Sequence, residues 1–166
     1  MELISSDTNI WIDFEVSGCL SEPFKLNDRY EYLMSSDALM DEVLSPPELG
    51  MKLVKLGVKA VEITEKEYLT ACDYGIKYQQ LSVYDRIALS IAATRNIKLL
   101  SGDKALRLAA IKESVEVHGT LWLLDELFFS GKIQRDRYVS ILREMQRQNG
   151  RRIRLPKNEL EKRLRQ

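Results

Sequence analysis

Short apolar runs that stop at polar turns, each leading into a stretch of helical character, recur along this chain. That alternation admits few folds. Parallel strands need long crossovers, the crossovers are usually helices, and the helices then cover both faces of the sheet. Leu3-Ile4-Ser5-Ser6 stops at Asp7 and gives way to a helix over residues 8–14, with Gly18 near its end. Alternating or apolar strands are predicted over residues 30–34, 58–63, 97–100 and 115–117.

The segments between them carry helix signals. Ser36-Asp37 caps a helix over 38–44, and Pro46-Pro47 breaks it and begins another that runs from 48 to 56, closed by Gly57. Thr64 and Glu67 have the spacing of a capping box, as do Ser82 and Asp85; they open helices to about residue 80 and about residue 96. Helices over 104–113, 121–129, 135–148 and 157–164 complete the pattern. Right-handed crossovers make this a three-layer α/β/α sandwich with a central, mostly parallel sheet, followed by C-terminal helices. The expected organisation is one domain over 1–130, with a basic helical extension over 131–166 packed on or flanking it.

Charge separates these two parts. The chain is formally neutral, yet residues 1–130 carry 13 basic against 21 acidic side chains, and residues 131–166 carry 12 against 4. An acidic body with a basic tail suits a cation at one place and a polyanion at another; a solvated Arg-rich helical end explains the tail equally well. The 166 residues contain one His and two Cys, Cys19 and Cys72, far apart and outside any CxxC pattern. A zinc site is therefore not expected, and two lone cysteines suit a reducing compartment. With no basic, apolar leader and no apolar run near the ~20 residues that span a bilayer, the chain reads as cytoplasmic and not membrane-bound.

Four acids fall where segments begin or end: Asp7, Glu42, Asp85 and Asp103. Sites in open α/β sheets form beyond the carboxyl ends of the strands. Carboxylates gathered there repel one another unless a cation neutralises them, and hard divalent cations prefer oxygen donors. Each acid also has a local explanation. Asp7, Asp85 and Asp103 stand at capping positions, and Glu42 lies on a helix beside Asp41, either of which can face the others.

The neighbours of these acids carry a family resemblance. Ser6-Asp7-Thr8-Asn9, Ala38-Leu39-Met40-Asp41-Glu42-Val43, Leu81-Ser82-Val83-Tyr84-Asp85-Arg86-Ile87 and Leu99-Leu100-Ser101-Gly102-Asp103-Lys104 resemble the four acidic segments of PIN-domain proteins. Val115-Glu116-Val117-His118-Gly119-Thr120-Leu121 resembles the last strand and helix of that fold. The resemblance covers most of residues 1–130.

It implies a Mg²⁺- or Mn²⁺-dependent endoribonuclease of the kind found as toxins in toxin–antitoxin pairs. Asp7, Asp85 and Asp103 would hold the metal, and Glu42 would hold a second metal or orient the attacking water. Asn9 and Ser101 would orient the ligands. The products would carry 5′-phosphate and 3′-hydroxyl ends. The implied partners are RNA, a small cognate antitoxin and, as in many such toxins, a second copy of the chain. Trp122, Leu123, Phe128 and Phe129 are candidates for that homodimer face, with burial in the core as the competing role.

Lys104 and Arg107, one turn apart beside Asp103, and Arg151 and Arg152 in the densest basic stretch are candidate RNA contacts; solvated basic faces are the alternative. A non-catalytic PIN-like module that binds RNA or protein is the competing function. Receiver domains want an acid pair after the first strand and haloacid-type phosphatases want Asp-x-Asp there. Asp7 has no acidic neighbour and position 9 is Asn, so both fit poorly.

Overall fold

A computed structural model describes residues 1–41 and 48–166. Five strands form one all-parallel sheet: β1 (Glu2–Ser6), β2 (Tyr30–Ser35), β3 (Lys59–Val61), β4 (Lys98–Leu100) and β5 (Val117–His118). Their order across the sheet is β3-β2-β1-β4-β5. The chain lays strands outward from β1 to one side, then crosses over and continues on the other. The reversal falls between β1 and β4, where Ser6 pairs with Leu100. In a sheet of this kind the crevice at such a reversal is where sites form.

Helices cover both faces, giving the three-layer sandwich that the sequence predicts. Alternation along each strand divides the core. Ile4, Tyr32 and Leu100 belong to one cluster with α1 (Thr8–Val16), α7 (Thr120–Phe129), α8 (Arg135–Gln148) and α9 (Lys157–Leu164). Leu99 faces the other way, into a cluster with α5 (Val83–Arg95) and α6 (Lys104–Lys112). Helix α4 (Glu65–Lys77) lies outside α5, and α2 (Ser36–Asp41) and α3 (Leu49–Leu56) complete the β2–β3 side. The C-terminal part contributes Tyr138, Ile141, Leu142, Met145, Ile153 and Leu160 to the first cluster, so it shares that core.

Some predicted boundaries move, each for a local reason. The third strand pairs over Lys59–Val61 only, because it is an edge strand with a ladder on one side. The fifth starts at Val117 because the Val115 N–H is already bonded to Ala110 O at the end of α6, after a left-handed turn at Ser114 (φ 60°). Helix α4 stops at Lys77, where Tyr78 takes extended φ and its hydroxyl bonds Glu113. The loop expected over 19–29 contains a 3₁₀ turn, Glu22–Leu26. Glu42 and the Pro46-Pro47 break lie outside the described residues. Both cysteines are free thiols, Cys19 buried and Cys72 exposed. Among the described residues no helix is long and apolar enough to cross a membrane.

Candidate metal centre

The reversal between β1 and β4 places two of the predicted acids side by side. Asp7 follows β1 and its backbone N–H donates to Leu100 O at 2.9 Å, which continues the ladder past the strand. The Asp7 carboxylate is 3% exposed and accepts from its neighbour's N–H, Thr8 N to Oδ1, at 2.8 Å. Its Oδ2 accepts from the Ser101 hydroxyl at 3.2 Å. The Ser101 Oγ also accepts from Asp103 N at 3.1 Å. One buried hydroxyl thus fixes the acid after β1 against the acid after β4. Asp103 caps α6 through Ala105 N to Oδ1 at 2.9 Å.

Asp85 comes from the helix that packs behind the same strand ends. Ser82 and Asp85 form the predicted capping box: Asp85 N donates to Ser82 Oγ at 3.1 Å, and Ser82 N donates to Asp85 Oδ2 at 3.0 Å. Ser5 on β1 anchors this helix by donating to Ala88 O at 2.8 Å. Burial raises the Asp85 carboxyl above its ordinary range, and the negative charge of Asp103 adds to the rise. The capping hydrogen bonds from Ser82 oppose it. Asp85 is therefore close enough to Asp103 for their charges to repel, the signature of carboxylates that share a field.

Each of these acids spends one oxygen on a helix terminus. Asp85 Oδ1 and Asp103 Oδ2 accept no hydrogen bond among the described residues. Among those residues no three acids, histidines or cysteines are gathered as a ready-made ion cage. The donor set is nonetheless all oxygen, two carboxylates each keep an uncommitted oxygen, and Asp85 and Asp103 repel. That chemistry fits a hard divalent cation better than it fits a metal-free resting state. Glu42, the fourth predicted acid, lies outside the described residues, as does the side chain of its alternative, Asp41.

A hollow of about 530 Å³ opens beside Asp103, lined by Asn9, Asp13 and Lys104 and by Arg152, Ile153 and Arg154 from the C-terminal part. Asn9 is exposed at its rim. Arg107 turns inward instead: its guanidinium donates to Ser101 O at 3.0 Å and lies where a side chain on Gly119 would be, 3.0 Å from the position a Cβ would take there. Its geometry braces the strand end that carries Ser101. Arg151 is exposed and lies one residue outside the lining. The four aromatic and apolar candidates for a dimer face divide: Leu123 is fully buried, Trp122 and Phe128 are half-buried, and Phe129 is 74% exposed.

Sequence reasoning missed Asp13. This acid is buried on α1, accepts from the Thr120 hydroxyl at 2.6 Å, and is pushed up to about 6 by burial, against the lowering effect of that hydrogen bond. The signal available was an acid inside the apolar run Trp11-Ile12-Asp13-Phe14. Its partner, 107 residues away, left no local trace.

Comparison with known proteins gives the family of the chain. The model of a family described as the PIN domain matches residues 3–166, so it takes in the C-terminal helices as well as the acidic body. No curated protein and no solved structure matches the chain. PIN domains have a nuclease-type fold, generally act as nucleases on RNA and typically use divalent metals. With its parallel sheet, its acids at the strand reversal and a match over nearly its whole length, the chain belongs to the PIN-domain family.

Proposed function

We propose that the chain is a divalent-metal-dependent endoribonuclease that hydrolyses RNA phosphodiesters. The observation that carries this reading is the junction of Asp7 and Asp103 through Ser101 at the β1/β4 reversal, with Asp85 in the field of Asp103. Asp7, Asp85 and Asp103 would hold Mg²⁺ or Mn²⁺, with Glu42 as the fourth acid. A bound cation supplies an activated water and charge stabilisation at the phosphoryl group. The protein's part is positional. Ser101 holds the Asp7 carboxylate in place, Arg107 braces the Ser101 backbone, and the Ser82 capping box and the N-cap positions of Asp7 and Asp103 fix the direction of the described acids.

Within this reading the chain is the toxin of a toxin–antitoxin pair, acting in the cytoplasm and held in check by a small antitoxin. Phe129, the exposed member of its aromatic group, suits a second copy or that partner. A non-catalytic RNA-binding module is the second reading. What favours it is that the described acids are each turned to cap a helix and do not form a three-donor group.

The experiment is cleavage of a labelled single-stranded RNA across a Mn²⁺ titration. Asp85→Asn and Asp103→Asn are expected to lower the rate by about 10²-fold or more while the far-ultraviolet circular dichroism stays unchanged, a loss comparable to removing one transition-state-stabilising group. Wild-type rates in both variants would sink the nuclease reading. Binding without cleavage at every metal concentration would favour the module.

A further inference from the structure

The C-terminal segment after α8 is a strap whose shape is set by its own hydrogen bonds. Asn149 closes it with its side chain: Nδ2 donates to Leu155 O at 3.0 Å and Oδ1 accepts from Leu155 N at 2.7 Å. Gly150, with φ +81°, turns the chain so that its N–H donates to Ile153 O at 2.9 Å. Ile153 is 4% exposed and belongs to the main core. Beyond the strap, α9 is pinned by Leu160 in the core and by Arg163, whose guanidinium donates to both oxygens of Asp125 at 2.8–3.1 Å.

The consequence is a fixed presentation of charge. Arg152 and Arg154 flank the buried Ile153, both are exposed, and both line the hollow next to Asp103. Lys104, at the start of α6, lines the same hollow. None of these three cations forms an ion pair with a described acid, whereas Arg163, Arg147 and Arg137 nearby in sequence all do. Gly102 and Arg154 are shared with a second hollow of about 270 Å³, so the two lie side by side along the strap. An ordered loop that spends a buried isoleucine to hold two unpaired guanidinium groups over an acidic centre is built for an anion. An extended polyanion suits two neighbouring hollows better than a small one.

We propose that the strap Arg152-Ile153-Arg154 is the phosphate-seating wall of the groove, holding the backbone of single-stranded RNA beside the acids. Arg152, Arg154 and Lys104 contact phosphates of the strand, and Asp103 lines the same hollow. The proposal rests on the nuclease reading and names the part of the chain that delivers substrate to that site. Arginine suits this place because its planar fork binds phosphate oxygens in pairs.

The test is anisotropy of a labelled 12-nucleotide single-stranded RNA, with EDTA to stop cleavage, over a series of salt concentrations. Each phosphate contact contributes about 0.7 to the slope of log affinity against log salt for a single strand. The double variant Arg152→Ala/Arg154→Ala is expected to lose about 1.4 of that slope and to bind at least about fivefold more weakly at low salt. Arg151→Ala, outside the lining, is expected to change the slope by less than half as much. An unchanged slope in the double variant, with a wild-type protein that binds and cleaves, overturns the strap and leaves the nuclease standing. A reduced slope in a protein that cleaves with no metal supports the strap as an RNA contact and removes the nuclease reading. A wild-type protein that does not bind RNA overturns both. Both substituted side chains are exposed and Ile153 is retained, so matching thermal melts are expected to exclude unfolding.

Discussion

Asp13 carries a cost that its neighbours do not repay. Its carboxyl ordinarily titrates near 3.8 and is pushed up to about 6 in the folded chain. An acid whose folded value is raised binds more protons folded than unfolded between those values, so stability falls as pH rises from about 4 to about 6. Above that window the full burial penalty is present. Asp13→Asn keeps an oxygen for the Thr120 hydroxyl and removes the charge. It is expected to raise stability by about 1–3 kcal/mol at pH 7.5 and by little at pH 4, as urea melts at the two pH values would show. Asp103 was legible from the strand that precedes it, and Ser101 only through the resemblance to PIN-domain proteins. Arg107 was legible only as a cation: sequence spacing placed it one turn from Lys104 and gave no sign that it would reach back to Ser101 O. Asp13 was hidden because periodicity reports where a helix is buried and not what a buried acid meets.

At the scale of the element, the α4–α5 pair depends on one buried carboxylate. Glu67 is 2% exposed, completes the capping box of α4 by accepting from Thr64 N at 2.9 Å, and accepts from Arg95 Nε at 2.6 Å and Thr94 Oγ1 at 3.1 Å on α5. The Arg95 guanidinium is the largest influence holding Glu67 down to about 2. A lowered acid contributes stability that is complete above its ordinary value near 4.5 and is lost as pH falls toward 2. Glu67→Gln leaves Arg95 without its counter-charge and is expected to cost about 2–4 kcal/mol at neutral pH and much less near pH 2, measured by denaturant unfolding. Both capping boxes could be read from four-residue spacings, because a cap is a local interaction. The limits of β3 and β5 could not, because they depend on pairing: β3 has one neighbour, and the end of α6 takes the amide that would have begun β5.

Across the whole molecule the acids are a repulsive centre that binding would relieve. Asp85 is raised partly by Asp103, so a cation between them would stabilise the native chain and not the unfolded one. Saturating Mn²⁺ is expected to raise the thermal midpoint, with roughly 2.7 kcal/mol gained at a hundred times the dissociation constant, and Asp103→Asn is expected to abolish most of that response in a calorimeter. Without metal the same variant is expected to melt slightly higher than the wild type, the usual relation between a strained site and stability. The layered parallel architecture followed from the alternation of strands and helices, and the order of the strands did not. The place of the C-terminal part did not, since its basic composition gives no sign that Ile153 and Leu160 enter the core.

The strap is fastened at both ends, by Asn149 on one side and by Leu160 and Arg163 on the other. A cut after Arg151 or Arg152 by a trypsin-like protease would break the chain without releasing the piece beyond it. The nicked molecule would migrate as one particle under native conditions and as two fragments in denaturant. The last fourteen or fifteen residues are in that sense a noncovalent subunit that happens to be encoded in line.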